Sequence, residues 1–141
     1  MAANVHAIDA KTGVPIWMTH PEKHPAARIT GGIVLHENRL YVPITSLEEA
    51  SGADPKYQCC TFRGSVVALD ASTGKKIWQA YTIPEKAKRT RKNKIGVQQW
   101  GPSGASVWSA PTIDEKRSML YVTTGDSYSD PAAKTSDAMV A

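Results

Sequence analysis

Phenylalanine occurs once in this 141-residue chain and cysteine twice. The two cysteines are adjacent, at 59 and 60, so neither a disulfide framework nor a four-cysteine zinc site can be built, and no Cys-x-x-Cys-His haem attachment exists. No run approaches the ~18 consecutive apolar residues of a membrane-spanning helix. The first residues, Met-Ala-Ala-Asn-Val-His, lack the charged-then-apolar layout of a secretion signal. Helical periodicity is also missing, and only residues 46–53 (Ser-Leu-Glu-Glu-Ala-Ser-Gly-Ala) suit a turn or two of helix within a loop. A true excess of positive charge is lacking too. The formal charge is +4, from 17 Lys and Arg against 13 Asp and Glu, but six of those bases fall in residues 86–94, and without them 11 bases face 13 acids. That run holds no aromatic residue to stack on a nucleobase, so it reads as a solvated connecting loop and argues against a nucleic-acid partner. The remainder, 41% hydrophobic and 21% charged, is ordinary for a globular domain.

What is present is a repeat. Ala7-Ile-Asp9-Ala-Lys-Thr12-Gly13-Val-Pro-Ile16-Trp17 recurs as Ala68-Leu-Asp70-Ala-Ser-Thr73-Gly74-Lys-Lys-Ile77-Trp78, at a constant offset of 61 residues. Apolar residues before each Asp predict a strand, Asp followed by Thr-Gly predicts a tight turn with Gly at positive φ, and Ile-Trp opens the returning strand. Two further pairs of strands are expected, at residues 29–35 with 39–44 and at 106–113 with 119–124, and Leu-Tyr-Val stands in both, at 40–42 and 120–122. Four short antiparallel strands with a Trp signature predict β-propeller blades, with Trp17 and Trp78 buried at blade contacts.

The fold class is therefore all-β. Residues 1–28 are expected to end one blade and lead on, 29–82 to form a full blade, 83–105 to be a basic loop, and 106–141 to make most of a further blade. A closed ring needs about four to eight blades, so the expected object is an incomplete ring, an arc of about two blades with open sheet edges that invite self-association.

The repeated Ala-x-Asp-x-x-Thr-Gly-x-x-x-Trp resembles the tryptophan-docking motif of quinoprotein alcohol dehydrogenases, the propellers that hold pyrroloquinoline quinone (PQQ) and Ca²⁺. Cys59-Cys60-Thr-Phe-Arg63-Gly64, Gly101-Pro-Ser-Gly-Ala-Ser-Val-Trp108-Ser-Ala-Pro and Leu120-Tyr-Val-Thr-Thr-Gly-Asp126-Ser make the resemblance strongest to the polyvinyl-alcohol dehydrogenases. The likeness implies Trp108 as the aromatic floor under the quinone, where the alternative is a core Trp between blades. It implies Asp126 as a Ca²⁺ ligand, against an Asp that merely caps a turn. Glu48 and Glu49 follow the strand after which the family places a metal-binding Glu, and Glu49 is preferred. Cys59 and Cys60 are implied as a vicinal disulfide near the quinone, or else as two reduced packed thiols. Arg63 is a candidate for the quinone carboxylates, to which a guanidinium offers paired donors, or a brace for a strand end. His20 and His24, in His-Pro-Glu-Lys-His-Pro, read as loop histidines without a third metal partner.

The function implied is part of an oxidoreductase in which an alcohol, such as polyvinyl alcohol or another secondary alcohol, gives hydride to the quinone while Ca²⁺ polarises the acceptor. The family's catalytic Asp is expected outside this chain. The resemblance further implies a cytochrome c as electron acceptor and a periplasmic location. The competing expectation is a non-enzymatic propeller scaffold that binds other proteins and shares the docking motif.

Overall fold

The computed structural model describes residues 3–141, and its regular secondary structure is almost wholly strand. A hairpin of β1 (Val5–Ile8) and β2 (Pro15–Thr19) comes first, followed by the short β3 (Ala27–Arg28). The central sheet joins β4 (Val34–His36), β5 (Arg39–Ser46), β6 (Ser65–Asp70) and β7 (Lys76–Tyr81), all antiparallel, and β3 pairs with the far end of β5. Between β5 and β6 lies α1 (Glu48–Gly52), within the segment expected to turn helical. Next come a hairpin of β8 (Lys88–Lys92) and β9 (Gln98–Gly101) and the two-residue β10 (Ser103–Gly104). A further sheet orders β11 (Thr112–Asp114), β12 (Met119–Thr123) and β14 (Met139–Val140), while β13 (Ser127–Ser129) pairs with β10. Among the described residues no helix is long and apolar enough to cross a membrane.

Register exposes the repetition. Val67 lies opposite Val42 and Ala68 opposite Tyr41 in the central blade, and Val140 lies opposite Val122 in the last sheet. Strand β14 thus stands to β12 as β6 stands to β5, and β1–β2 corresponds by sequence to β6–β7. The central blade is covered on both faces. Val42, Ile44, Val67 and Leu69 pack with Val5, Ala27 and Phe62 on one side, whereas Tyr41, Val66 and Ala68 pack with Val107 and Val122 on the other. A strand buried on both faces carries no polar alternation, which is why Ser65-Val-Val-Ala-Leu69 is a continuous apolar run.

Three expectations need correction. Residues 83–105 are not simply a loop. The basic run forms β8, held by Arg89 at 5.5 Å from the Trp100 ring and by an Arg91–Asp130 ion pair of 3.0 Å. Its turn is closed by Asn93 Oδ1, which accepts from the amides of Ile95 and Val97, with Gly96 at φ +86°. Second, the expected strands at 29–35 and 106–113 begin only at Val34 and Thr112. Their earlier halves cross one another too closely for sheet pairing, since a Cβ at Gly31 would come within 2.8 Å of the Ser109 carbonyl oxygen. Third, the two repeat tryptophans differ. Trp17 is half-buried and donates from Nε1 to the Ala71 carbonyl at 3.2 Å, whereas Trp78 is 38% exposed and touches Tyr41 across 5.9 Å. Trp17 has the Asp70 turn to rest on, and no turn covers Trp78 among the described residues.

Candidate functional site

Trp108 owes its position to the segment that precedes it. The Ala105 amide donates to the Asp126 carbonyl, the Gly125 amide to the Ser106 carbonyl and the Val107 amide to the Ile44 carbonyl, at 2.8, 2.9 and 3.1 Å. These bonds thread residues 105–107 between the end of β5 and the loop after β12. Gly104 makes the entry possible, because its φ of +101° is a glycine conformation and a Cβ there would sit 2.5 Å from the Asp126 carbonyl oxygen. Trp108 emerges with its indole edge beside Gly125 and 64% of its surface exposed. An indole left that open by a well-bonded segment offers an apolar face to solvent.

The open face borders a cleft of about 480 Å³ that Asp126 and Glu49 also line. Their convergence has two causes. Asp126 leaves β12 at the end where the Trp108 segment enters, as antiparallel pairing requires. Glu49 comes from α1, which is pinned by its neighbour. Glu48 is 1% exposed, and its carboxylate accepts from the amides of Thr61 and Phe62, at 3.0 and 2.6 Å, and from the Tyr57 hydroxyl at 3.0 Å. With Glu48 committed inward, Glu49 is the glutamate left for the cleft.

The cleft's other polar groups were not legible from motifs. Arg28, at the end of β3, lines it, with its Nη1 donating to the Ala27 carbonyl at 2.6 Å. Tyr128 closes one wall and shares a hydrogen bond with Ser106 Oγ. Burial pushes the Tyr128 phenol up, and the charges of Glu49 and Asp126 add to this against the hydrogen bonds from Ser106 and Ser46. Arg28 ends β3, and Tyr128 is the middle residue of β13, two residues after Asp126.

The remaining candidates lie apart. Arg63 does not reach the cleft; it donates to the carbonyls of Ile83 and Pro84, both at 2.9 Å, and lies 3.9 Å over the Tyr81 ring, bracing a strand end. Cys59 and Cys60 are joined in a disulfide and buried, with Cys59 Sγ against the Tyr128 carbonyl at 3.5 Å. Tyr128 therefore stands between the disulfide and the cleft, presenting its backbone to one and its hydroxyl to the other. His24 donates or accepts at the Thr61 hydroxyl and His20 lies against Asn4. Among the described residues no three His, Cys, Asp or Glu side chains gather at metal-binding range.

The donor set nonetheless suits a planar anionic quinone with a hard cation. An exposed indole provides the stacking face, and Arg28 is a guanidinium for a carboxylate. Two carboxylates supply part of the six to eight oxygens that Ca²⁺ takes, leaving positions for oxygens of a bound group and water.

Comparison with known proteins agrees with this architecture. Residues 49–136 match the family described as PQQ: glucose/ethanol/alcohol dehydrogenase, beta-propeller domain. Polyvinylalcohol dehydrogenases of a Pseudomonas species and of Sphingopyxis strain 113P3 are 46% and 44% identical over 96% of this chain. The chain spans 21% of the length of each of those relatives. Among solved structures, the quinohemoprotein alcohol dehydrogenases ADHIIG of Pseudomonas putida HK5 and that of Comamonas testosteroni superpose with TM-scores of 0.66 and 0.63. Those matches, at 21% and 20% identity, cover 94% and 89% of this chain and 21% and 19% of theirs, and show the shared propeller fold. This chain belongs to the PQQ-type glucose/ethanol/alcohol dehydrogenase β-propeller family.

Proposed function

We propose that the chain contributes the quinone floor and part of the metal site of a PQQ-dependent alcohol oxidation centre acting on polyvinyl alcohol or another secondary alcohol. The observation that carries this reading is the convergence of the open Trp108 face with Asp126 and Glu49 in one cleft. Bound there, PQQ with Ca²⁺ supplies a polarised hydride acceptor. The residues of this chain then bind and orient. Trp108 stacks on the ring system, Glu49 and Asp126 hold the cation, and Arg28 takes the role of carboxylate partner that the sequence suggested for Arg63. The proton-accepting carboxylate is assigned to blades outside these residues. A cytochrome c acceptor and a periplasmic location go with this reading, and the disulfide at Cys59–Cys60 supports an oxidising compartment.

Titration of PQQ into the chain with and without Ca²⁺, followed by quenching of tryptophan fluorescence, tests the assignment. Trp108→Ala is expected to weaken quinone binding by about tenfold, the equivalent of a lost stacking contact. Asp126→Ala is expected to raise the calcium concentration needed for that binding. Unchanged quinone affinity and calcium dependence in both variants would leave the propeller as a scaffold.

A further inference from the structure

Positive charge in this chain is segregated onto one hairpin. Six of its 17 bases fall within residues 86–94, no Asp or Glu interrupts them, and the residues outside the run carry 11 bases against 13 acids. All five residues of β8 are exposed. Two of the bases hold the hairpin in place, Arg89 over the Trp100 ring and Arg91 on Asp130. The other four do not, since among the described residues no carboxylate pairs with Lys86, Lys88, Lys92 or Lys94. Like charges this close repel one another, and nothing in the hairpin's own bonding asks for them. The frame that carries them is fixed from both flanks. On one side the Cys60 amide donates to the Trp100 carbonyl at 3.2 Å, and the Asn93 side-chain amide donates to the Pro55 carbonyl at 2.6 Å. On the other side Arg91 reaches Asp130, just beyond β13. Strands β8 and β9 pair only with each other, so their exposed face is not the edge of a blade.

The hairpin also stands against the cleft. Tyr128 lines the cleft and, beside it, a second cavity of about 430 Å³ that Thr90, Arg91 and Gln99 of the hairpin line as well. A macromolecule seated on the hairpin is thereby held next to a wall of the candidate quinone site. Oxidation of an alcohol to its carbonyl releases two electrons and two protons there, and a haem protein accepts one electron at a time. Such an acceptor docks twice per alcohol while the protons pass to water, so it must arrive fast and leave fast. Small, charge-dominated interfaces serve encounters of this kind, because steering raises the association rate and little apolar area is buried to slow release. The hairpin has that character, with Ile95 at its turn as its exposed large apolar side chain. We propose that the β8–β9 hairpin is the docking surface for the electron-acceptor protein of this dehydrogenase, which meets it with Asp and Glu side chains around its haem edge. The identity of that partner rests on the quinone reading. A nucleic acid would find no free aromatic to stack on, Trp100 lying under Arg89, and a bilayer would find a single isoleucine to take up.

Calorimetric titration of the 141-residue chain, without quinone, with a ferric c-type cytochrome of net negative charge tests the surface. Binding is expected at low salt and should weaken about tenfold at physiological ionic strength. Lys88→Gln, Lys92→Gln and Lys94→Gln together are expected to weaken the low-salt binding about tenfold. Lys11→Gln, Lys75→Gln and Lys116→Gln remove the same charge from exposed positions in three turns elsewhere and should leave it within about twofold. Carbodiimide cross-linking is expected to join Lys88, Lys92 or Lys94 to cytochrome carboxylates beside the exposed haem edge. No binding, equal weakening by the two triple variants, equal binding of a basic cytochrome c, or cross-links remote from the haem edge would each overturn the proposal. So would tighter binding of phosphatidylglycerol vesicles or single-stranded DNA that the hairpin variant abolishes. Because no quinone is present, each of these results stands apart from the Trp108 and Asp126 titrations. Matching circular dichroism spectra of the three proteins tie the outcomes to the hairpin's charge.

Discussion

Glu48 and Glu49 are adjacent on a five-residue helix and have opposite surroundings, one anchoring the Thr61–Phe62 backbone and the other bordering the cleft. Sequence alone leaves this pair unresolved, because a single helical turn has no periodicity to orient it. What separates them is the pair of amides that Glu48 satisfies, a long-range contact. The arrangement has a reporter. The Tyr57 hydroxyl donates to Glu48, and burial, reinforced by the Glu48 charge, pushes the Tyr57 phenol up to about 12. An unfolded tyrosine ionises near 10, so the folded state holds this proton more firmly. Stability from this group is present below about pH 10 and is lost as pH climbs toward about 12. Thermal melts across that window should show the decline, and Tyr57→Phe should flatten it.

At the scale of elements, the hairpins and blade strands were legible because each rests on local chemistry. The Asp-x-x-Thr-Gly turns bond within themselves, and Leu-Tyr-Val marks the paired strand. The hairpin of β8 and β9 was not legible, since its strand is a run of bases stabilised by Trp100 and Asp130 and not by an apolar face. In the cleft, Trp108 and Asp126 lie in motifs and Glu49 is one of an adjacent pair, whereas Arg28 and Tyr128 arrive by the pairing of β3 with β5 and of β13 with β10. The two readings of Arg63 stay open in the sequence for the same reason, as nothing nearby announces the carbonyls of Ile83 and Pro84 that it braces. The seat of Trp17 on the turn after β6, where a Cβ at Gly74 would stand 2.5 Å from Trp17 Cε3, makes the local rule measurable. Trp17→Ala strips a half-buried ring from the Asp70 turn and is expected to cost about 3 kcal/mol in chemical denaturation, at the low end for such truncations. Trp78→Ala should cost less in the 141-residue chain, since among the described residues no turn lies on that ring.

For the molecule as a whole, the central blade is the keystone, with apolar partners on both faces. Its tie to the Trp108 segment passes through Gly64, whose amide donates to the Gly104 carbonyl at 2.9 Å. A Cβ at Gly64 would run into the Ala105 carbonyl, and backbone has little room to give. Gly64→Ala is therefore expected to destabilise the fold by about 3 kcal/mol, the upper part of the range for overpacking, and to disturb the cleft with it. Measured unfolding free energies unchanged within error would refute that close crossing. The tryptophan joint has a separate consequence, for descent. The joint among the described residues draws its indole, Trp17, from one motif and its glycine turn, at Gly74, from the following one, so the interface lies between repeats. Tandem duplication of a whole period in the gene then lengthens the arc with a competent joint at the seam, and deletion of a period heals in the same manner. Blade number can change by copying alone, before any substitution at an interface is selected.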